Sequence, residues 1–408
     1  MTAASNHRPG RRPLSIALRR RLFAIAAGAG VWAACLTGAA PAAYADDVRA
    51  EQWYLGPMKA EDMWEVSTGK GVTVAVIDSG VNKNTPSLRG QVLPGKDFTG
   101  EPGDENDDYG GHGTTMAALI AGTGEGGLQG IAPGAQIIPY RVVFKTMGSR
   151  SEKPTVPKAI RAAADSEARI ISMSFGGRYH RQDLKESIDY ALSKGKLLVA
   201  STGNSAKKGN EPQFPASYTG VVGVGAFGED GVVADYSTYG LNVDLAAPGL
   251  DVPGWCDESF KRFCSKGGTS AATAITSASA ALIWAEHPDW TANQVKRVLI
   301  DTAGRESKSD EPSKYIGWGA VRPRINLLEG KGDPGPSHKD PLGETKPSAA
   351  PSPSGEGSKA DGKRPAQDSA DTASSASDEN GNLWIYLGAG AAVAAVVMVA
   401  FTLVRRTR

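Results

Sequence analysis

Val72-Thr73-Val74-Ala75-Val76-Ile77-Asp78-Ser79-Gly80 is a run of small and β-branched apolar residues that ends on a carboxylate and a turn. An unbroken apolar run of this length predicts a strand buried on both faces, as in a parallel sheet, rather than one with a solvated side. Stretches 136–143, 169–175, 196–202 and 221–227 read the same way. Helical spacing occupies 114–121, 156–166, 183–194, 269–286 and 291–303, and Gln294 three positions after Thr291 forms a capping box for the last. Strands alternating with helices imply an α/β fold. The expectation is a doubly wound, mostly parallel sheet with helices on both faces and a site at the carboxyl ends of its strands.

Three polar residues sit where that rule places chemistry. Asp78 ends the first strand, His112 lies between Gly111 and Gly113 at the head of an apolar helix, and Ser270 follows Gly267-Gly268 at the head of the longest helix. A serine hydroxyl is a poor nucleophile until a neighbouring base takes its proton. Of the five histidines, His7 lies in the leader, His338 in a polar C-terminal stretch, His287 just before Pro288, and His180 in a polar segment without flanking glycines. Only His112 has glycines on both sides, which let its backbone approach closely and its ring face a cleft. Asp78 would then hold the imidazole tautomer and stabilise the imidazolium. An oxyanion needs donors: the Ser270 N–H at the positive end of its helix is one. The Asn204 amide, after Ala200-Ser201-Thr202-Gly203, is the second, although Asn204 alone also reads as a left-handed turn residue.

The ends of the chain are not globular. Residues 1–21 hold Arg11, Arg12, Arg19, Arg20 and Arg21 and no acid; an apolar stretch follows, then Ala43-Tyr44-Ala45. Residues 1–45 therefore read as a secretory signal peptide, with an uncleaved signal anchor as the alternative. Residues 46–70 form an N-terminal extension and 71–330 the body. Residues 331–380, rich in Pro, Ser and Gly, cannot bury enough surface to order themselves and read as a stalk. The uncharged run 383–404 is long enough for one transmembrane helix, and basic residues 405–408 suit its cytoplasmic side. The body is thus expected outside the cell, tethered to its membrane. A net charge of +1, with no basic stripe in the body, argues against a nucleic-acid partner. Cys35 lies in the leader; Cys256 and Cys264 can close a small disulfide loop in an oxidising compartment or remain as two thiols. The acidic loop 104–108 reads as a solvated turn before it reads as a calcium ligand, and no metal site or cofactor is assigned.

Together with Ser174-Phe175-Gly176-Gly177 and Ser201-Thr202-Gly203-Asn204, the Asp78, His112 and Ser270 motifs resemble the subtilisin-type serine peptidases over about 52–328. The resemblance implies an endopeptidase acting on proteins or peptides. It also implies that Ser174, Phe175 and Gly176 pair with the substrate backbone as an added strand. Ala200, Ser201, Thr202 and Gly203 would line the pocket for the residue before the scissile bond. Gln52-Trp53-Tyr54-Leu55, Val92-Leu93-Pro94-Gly95-Lys96-Asp97-Phe98, Gly130-Ile131-Ala132-Pro133-Gly134-Ala135 and the C-terminal span are similar to mycosins, membrane-anchored subtilases associated with type VII secretion systems. That similarity implies exported proteins as substrates and secretion components as partners. A structural subunit with secondary proteolysis and a general degradative subtilase are the alternatives. A lipase is disfavoured, because no Gly-x-Ser-x-Gly elbow surrounds Ser270. Residues 46–70 are too few for a prodomain with its own core, so folding without a removable prodomain is expected, with Trp53, Tyr54 and Trp64 as anchors. The sequence departs from the family at Ala274, where subtilases usually carry proline, at Ala271 for methionine, and at Ser172 for asparagine. Loss of the proline should straighten or stiffen the serine helix.

Overall fold

The computed structural model describes residues 48–142, 155–305 and 311–343. The expected signal peptide, the stalk beyond 343, the apolar span 383–404 and the basic tail lie outside the described residues. Among those described, no helix is long and apolar enough to cross a membrane.

The elements in chain order are α1 (Ala60–Val66), β1 (Thr73–Asp78), β2 (Lys96–Asp97), α2 (His112–Ala121), β3 (Gln136–Arg141), α3 (Thr155–Ala164), β4 (Ile170–Met173), α4 (Gln182–Ser193) and β5 (Leu197–Ser201). Then come β6 (Val222–Phe227), β7 (Leu245–Pro248), β8 (Pro253–Trp255), β9 (Phe263–Ser265), α5 (Thr269–Glu286), α6 (Ala292–Asp301) and α7 (Pro323–Glu329). Seven strands form one sheet in the order β2-β3-β1-β4-β5-β6-β7, and every neighbouring pair is parallel. Strands β8 and β9 pair antiparallel in a small hairpin.

Successive side chains of a strand point to opposite faces, and β1 feeds two cores accordingly. Val74 and Val76 join α2 and α5 on one face; Ala75 and Ile77 join α3 and α4 on the other. The chain builds outward from β1 in one direction, then returns to place β4 on the other side of β1. The carboxyl ends of β1 and β4 therefore flank the crevice where open α/β sheets hold their ligands.

Residues 48–70 lie against the body. The Gln52 side chain donates to the Gln129 carbonyl and accepts from its N–H, both at 2.8 Å. Trp53 Nε1 donates to the Leu250 carbonyl at 3.0 Å, and Trp64 Nε1 to that of Ile131 at 2.8 Å. Tyr54 is completely buried, and loss of hydration raises its phenol far above the usual range despite its hydrogen bond to Gln52.

The C-terminal boundary needs correction. A stalk was expected from 331, yet 331–343 dock on the body: Lys296 Nζ reaches Asp340 Oδ1 at 2.9 Å, and Leu342 is buried. Beside the buried lysine and the leucine, side chains of α6 and its cap bond the backbone of this segment, Thr291 and Asn293 at Ser337 and Arg297 at Lys339, although its composition reads as linker.

Candidate active site

β1 carries Asp78 to the crevice and leaves it with no exposed surface. Its Oδ1 accepts from the Ser79 N–H at 2.8 Å and lies 2.7 Å from His112 Nδ1. The approach is possible because residue 113 is glycine. A Cβ there would collide with the Gly80 carbonyl and stand 3.0 Å from Asp78 Cβ. The His112 ring is 43 % exposed at the mouth of the crevice. Partial desolvation alone would lower its pKa. The charge and hydrogen bond of Asp78, aided by Asp108 and opposed by Lys266, outweigh that and raise it above 6.5.

Ser270 is the second residue of α5, after Gly268, whose φ of 113° is open to glycine alone at little cost. The two serines of the site bond reciprocally: Ser270 Oγ donates to the Ser174 carbonyl and Ser174 Oγ to the Ser270 carbonyl, each at 3.0 Å. That clasp ties the end of β4 to the head of α5 and brings Ser270 to the same crevice as Asp78 and His112. No hydrogen bond joins Ser270 to the His112 ring here; such bonds are often loose in unliganded enzymes.

Asn204 follows β5. Its Oδ1 accepts from the Thr269 N–H at 3.0 Å and from Thr269 Oγ1 at 2.9 Å, which turns its Nδ2 toward α5. A Cβ placed on Gly268 would lie 3.2 Å from that Nδ2 and 3.8 Å from the Ser270 nitrogen. Two donors thus converge on one small space beside the nucleophile, the arrangement an oxyanion requires.

Ser174, Phe175 and Gly176 run from β4 toward the surface, with Gly176 exposed. The four residues expected to line the pocket, Ala200, Ser201, Thr202 and Gly203, differ in how much surface they keep. Ala200 and Ser201 are inside β5, and Thr202 is buried with its N–H and hydroxyl both on the Val224 carbonyl at 3.1 Å. Gly203 alone of the four keeps surface.

Three residues that matter here escaped the sequence. Gln213 lies across this cleft, so that a Cβ on Gly176 would meet its Cβ at 2.9 Å and one on Gly203 its Cγ at 2.6 Å. Its only sequence signal is its place before Phe214-Pro215. The acidic loop 104–108 is only partly the solvated turn its composition implies: Asp104 and Asp107 are exposed, but Asp108 is buried and binds the head of α2. The signal available was an acid shortly before a helix start. Thr115 joins α2 to the hairpin: its Oγ1 accepts from the Trp255 N–H at 3.0 Å and donates to the Gly111 carbonyl at 2.6 Å. A Cys256–Cys264 disulfide closes that hairpin. Ser172, unexplained by sequence, bonds Ser277 of α5 at 3.0 Å, and α5 runs unbroken through Ala274.

The sequence profile of the Subtilase family matches residues 69–319, more than half of the chain. The chain belongs to the subtilase family. Thermitase of Thermoactinomyces vulgaris is 32 % identical over 258 residues, covering 62 % of this chain and 88 % of thermitase. Among solved structures, MycP1 from Mycobacterium smegmatis has a TM-score of 0.58 and 27 % identity, covering 70 % of this subtilase and 86 % of that chain. MycP3, described as a protease from the type VII (ESX-3) secretion system, has a TM-score of 0.57 and 30 % identity, covering 67 % and 87 %. This subtilase is therefore a subtilisin-type serine endopeptidase whose structural neighbours include the mycosins MycP1 and MycP3.

Proposed function

We propose that this subtilase is a membrane-anchored, mycosin-like endopeptidase that cleaves exported proteins outside the cytoplasmic membrane, with Asp78, His112 and Ser270 as its triad. The observation that carries the catalytic assignment is the 2.7 Å contact between Asp78 Oδ1 and His112 Nδ1 in the crevice that also receives Ser270. Asp78 accepting from Nδ1–H leaves Nε2 as the base. A turn about the Ser270 side chain would release the hydroxyl from Ser174 and pass its proton to Nε2 as Oγ attacks the scissile carbonyl. The Ser270 N–H and Asn204 Nδ2 then stabilise the oxyanion. His112 gives its proton to the leaving amine, and water hydrolyses the acyl-enzyme by the same steps. No cofactor enters this sequence. Gly176 offers backbone for the substrate to pair with as a strand.

Support for the setting comes from the apolar span 383–404, the leader and the mycosin neighbours. A serine-directed fluorophosphonate should label Ser270 and fail on His112→Ala; robust labelling of that variant refutes the base assignment. One neighbour is described as an essential component of the type VII (ESX-1) secretion system, which favours a second, structural role. Secretion that survives Ser270→Ala but not gene deletion would assign the essential role to the scaffold.

A further inference from the structure

We infer that Asp108 is a positioning residue for His112, fixing the head of α2 and adding a second negative charge beside the imidazole. The inference rests on the triad reading above. The Asp108 side chain belongs to a residue only 5 % exposed. Its Oδ1 accepts from Ser79 Oγ at 2.8 Å, Gly110 N–H at 3.1 Å and Gly111 N–H at 3.0 Å. Its Oδ2 accepts from the Thr114 N–H at 2.8 Å and Thr114 Oγ1 at 2.6 Å. The first turn of any helix has N–H groups without intrahelical partners. Gly111 stands at the N-cap of α2 and has no side chain to satisfy them, so Asp108 does so from outside the helix.

Ser79 carries the connection to the triad. Its hydroxyl lies 2.8 Å from Asp108 and 3.2 Å from Asp78 Oδ1, and it accepts the Gly113 N–H at 3.0 Å. The residues on either side of His112 are thus held by Asp108 directly and through Ser79. The carboxylate is itself fixed. Arg141, buried at the end of β3, donates to the Pro102 and Asp104 carbonyls and stacks 4.7 Å over the Tyr109 ring, pinning the loop that bears it.

The charged groups around His112 are Asp78 from β1, Asp108 from this loop and Lys266 from the turn before α5. The hairpin beyond β8 adds Asp257, which is half-buried and 3.9 Å from Arg262. Removing the charge of Asp108 must therefore make the imidazole easier to deprotonate, whereas a group that only caps a helix would leave its titration alone.

The test follows the rate of fluorophosphonate labelling against pH for the full-length chain, with thermal melts as a control on folding. In Asp108→Asn the plateau rate should fall roughly 10- to 100-fold, the scale of a slightly misplaced reacting group. Its acid limb should also move down by about half a pH unit, as for one charge several ångströms away in a partly wetted site. Ser79→Ala should lower the plateau and leave the limb in place, because both carboxylates remain. An Asp108→Asn variant that folds yet keeps the wild-type limb overturns the inference, whatever its plateau. If Asp108→Asn does not fold, wild-type labelling by Ser79→Ala overturns it. A wild-type chain that takes no label defeats the triad reading first, an outcome distinct from either.

Discussion

Replacing Asp340 by alanine should strand the Lys296 ammonium inside the protein. The Lys296 side chain is 2 % exposed, and its Nζ lies 2.9 Å from Asp340 Oδ1 and 2.8 Å from the Gly220 carbonyl. Removing one partner of a fully buried pair costs about 3–5 kcal/mol. Asp340 is 26 % exposed and the Gly220 carbonyl stays, so water can replace part of what is lost. The expected cost is about 2 kcal/mol. Asp340 Oδ1 also accepts from the Leu342 N–H at 3.0 Å, so the substitution loosens the segment that brings Leu342 into the core. For a body of this size the loss corresponds to a fall in Tm of about 3–4 °C. Circular dichroism melts of the full chain would read it, with fluorophosphonate labelling at 25 °C confirming an intact site. Adding Lys296→Met removes the buried charge, and the double variant should recover much of the loss. A Tm for Asp340→Ala within about 1 °C of wild type would refute the reasoning. So would a double variant no more stable than the single one.

Asn204→Ala should lower kcat by roughly 10²–10³-fold with little change in KM, a range known from subtilisin itself rather than worked out from these distances. Steady-state kinetics on a peptide ester would show it, and an unchanged kcat would remove Asn204 from the oxyanion site. Because the His112 pKa is raised, the acid limb of kcat/KM should lie above 6.5. The same shift acts on stability in the opposite sense. A raised folded-state pKa contributes stability that is fully present below the unfolded value and lost as pH rises through the folded one, so His112→Ala should flatten that part of the stability profile. Gln213→Ala opens the cleft between Gly176 and Gly203 and should shift preference at the residue before the scissile bond from small toward large side chains. A change of about 10-fold or more in the kcat/KM ratio of matched Ala and Leu peptides is expected, and an unchanged ratio places Gln213 outside the pocket.

The sequence showed most where local pattern and tertiary role coincide. β1 and α5 were legible because continuous apolar runs of those lengths leave few alternatives, and α6 because Thr291 and Gln294 mark its start; the Gln294 side chain returns to the Thr291 N–H at 3.0 Å. β2 and β7 were not: two residues at a sheet edge and Leu245-Ala246-Ala247-Pro248 carry no periodicity, and their neighbours in the sheet decide them. Asp108 was misread because Asp104, Glu105 and Asp107 surround it, and composition cannot show that one acid of four turns inward. The burial of Ala200 and Thr202 was illegible for the converse reason. A motif names which residues lie near a pocket, but strand parity and the Val224 carbonyl decide which of them face it.

The helix that carries Ser270 explains why both ends of the folded region matter. All of α5 from Thr269 to Trp284 is buried except Ser270, including Thr273, Thr276 and Ser279, whose hydroxyls return to carbonyls four residues back at 2.8 Å. A helix that is apolar all round must be covered all round. The sheet covers it through β4, β5, β6 and β7, while α2, α6 and α7 pack on its remaining sides. α1 in turn packs on α7, and Ser67 at its end donates to the Leu282 carbonyl of α5 at 2.8 Å. The N-terminal extension is therefore part of the wall around the nucleophile's helix. The segment ending at Leu342 reinforces that wall from the other side by neutralising Lys296 of α6. Removing this extension would therefore uncover part of the packing around that helix. Gln52, Trp53 and Trp64 accordingly bond the backbone of the body and cover its core, whereas the crevice holding His112 stays open to solvent.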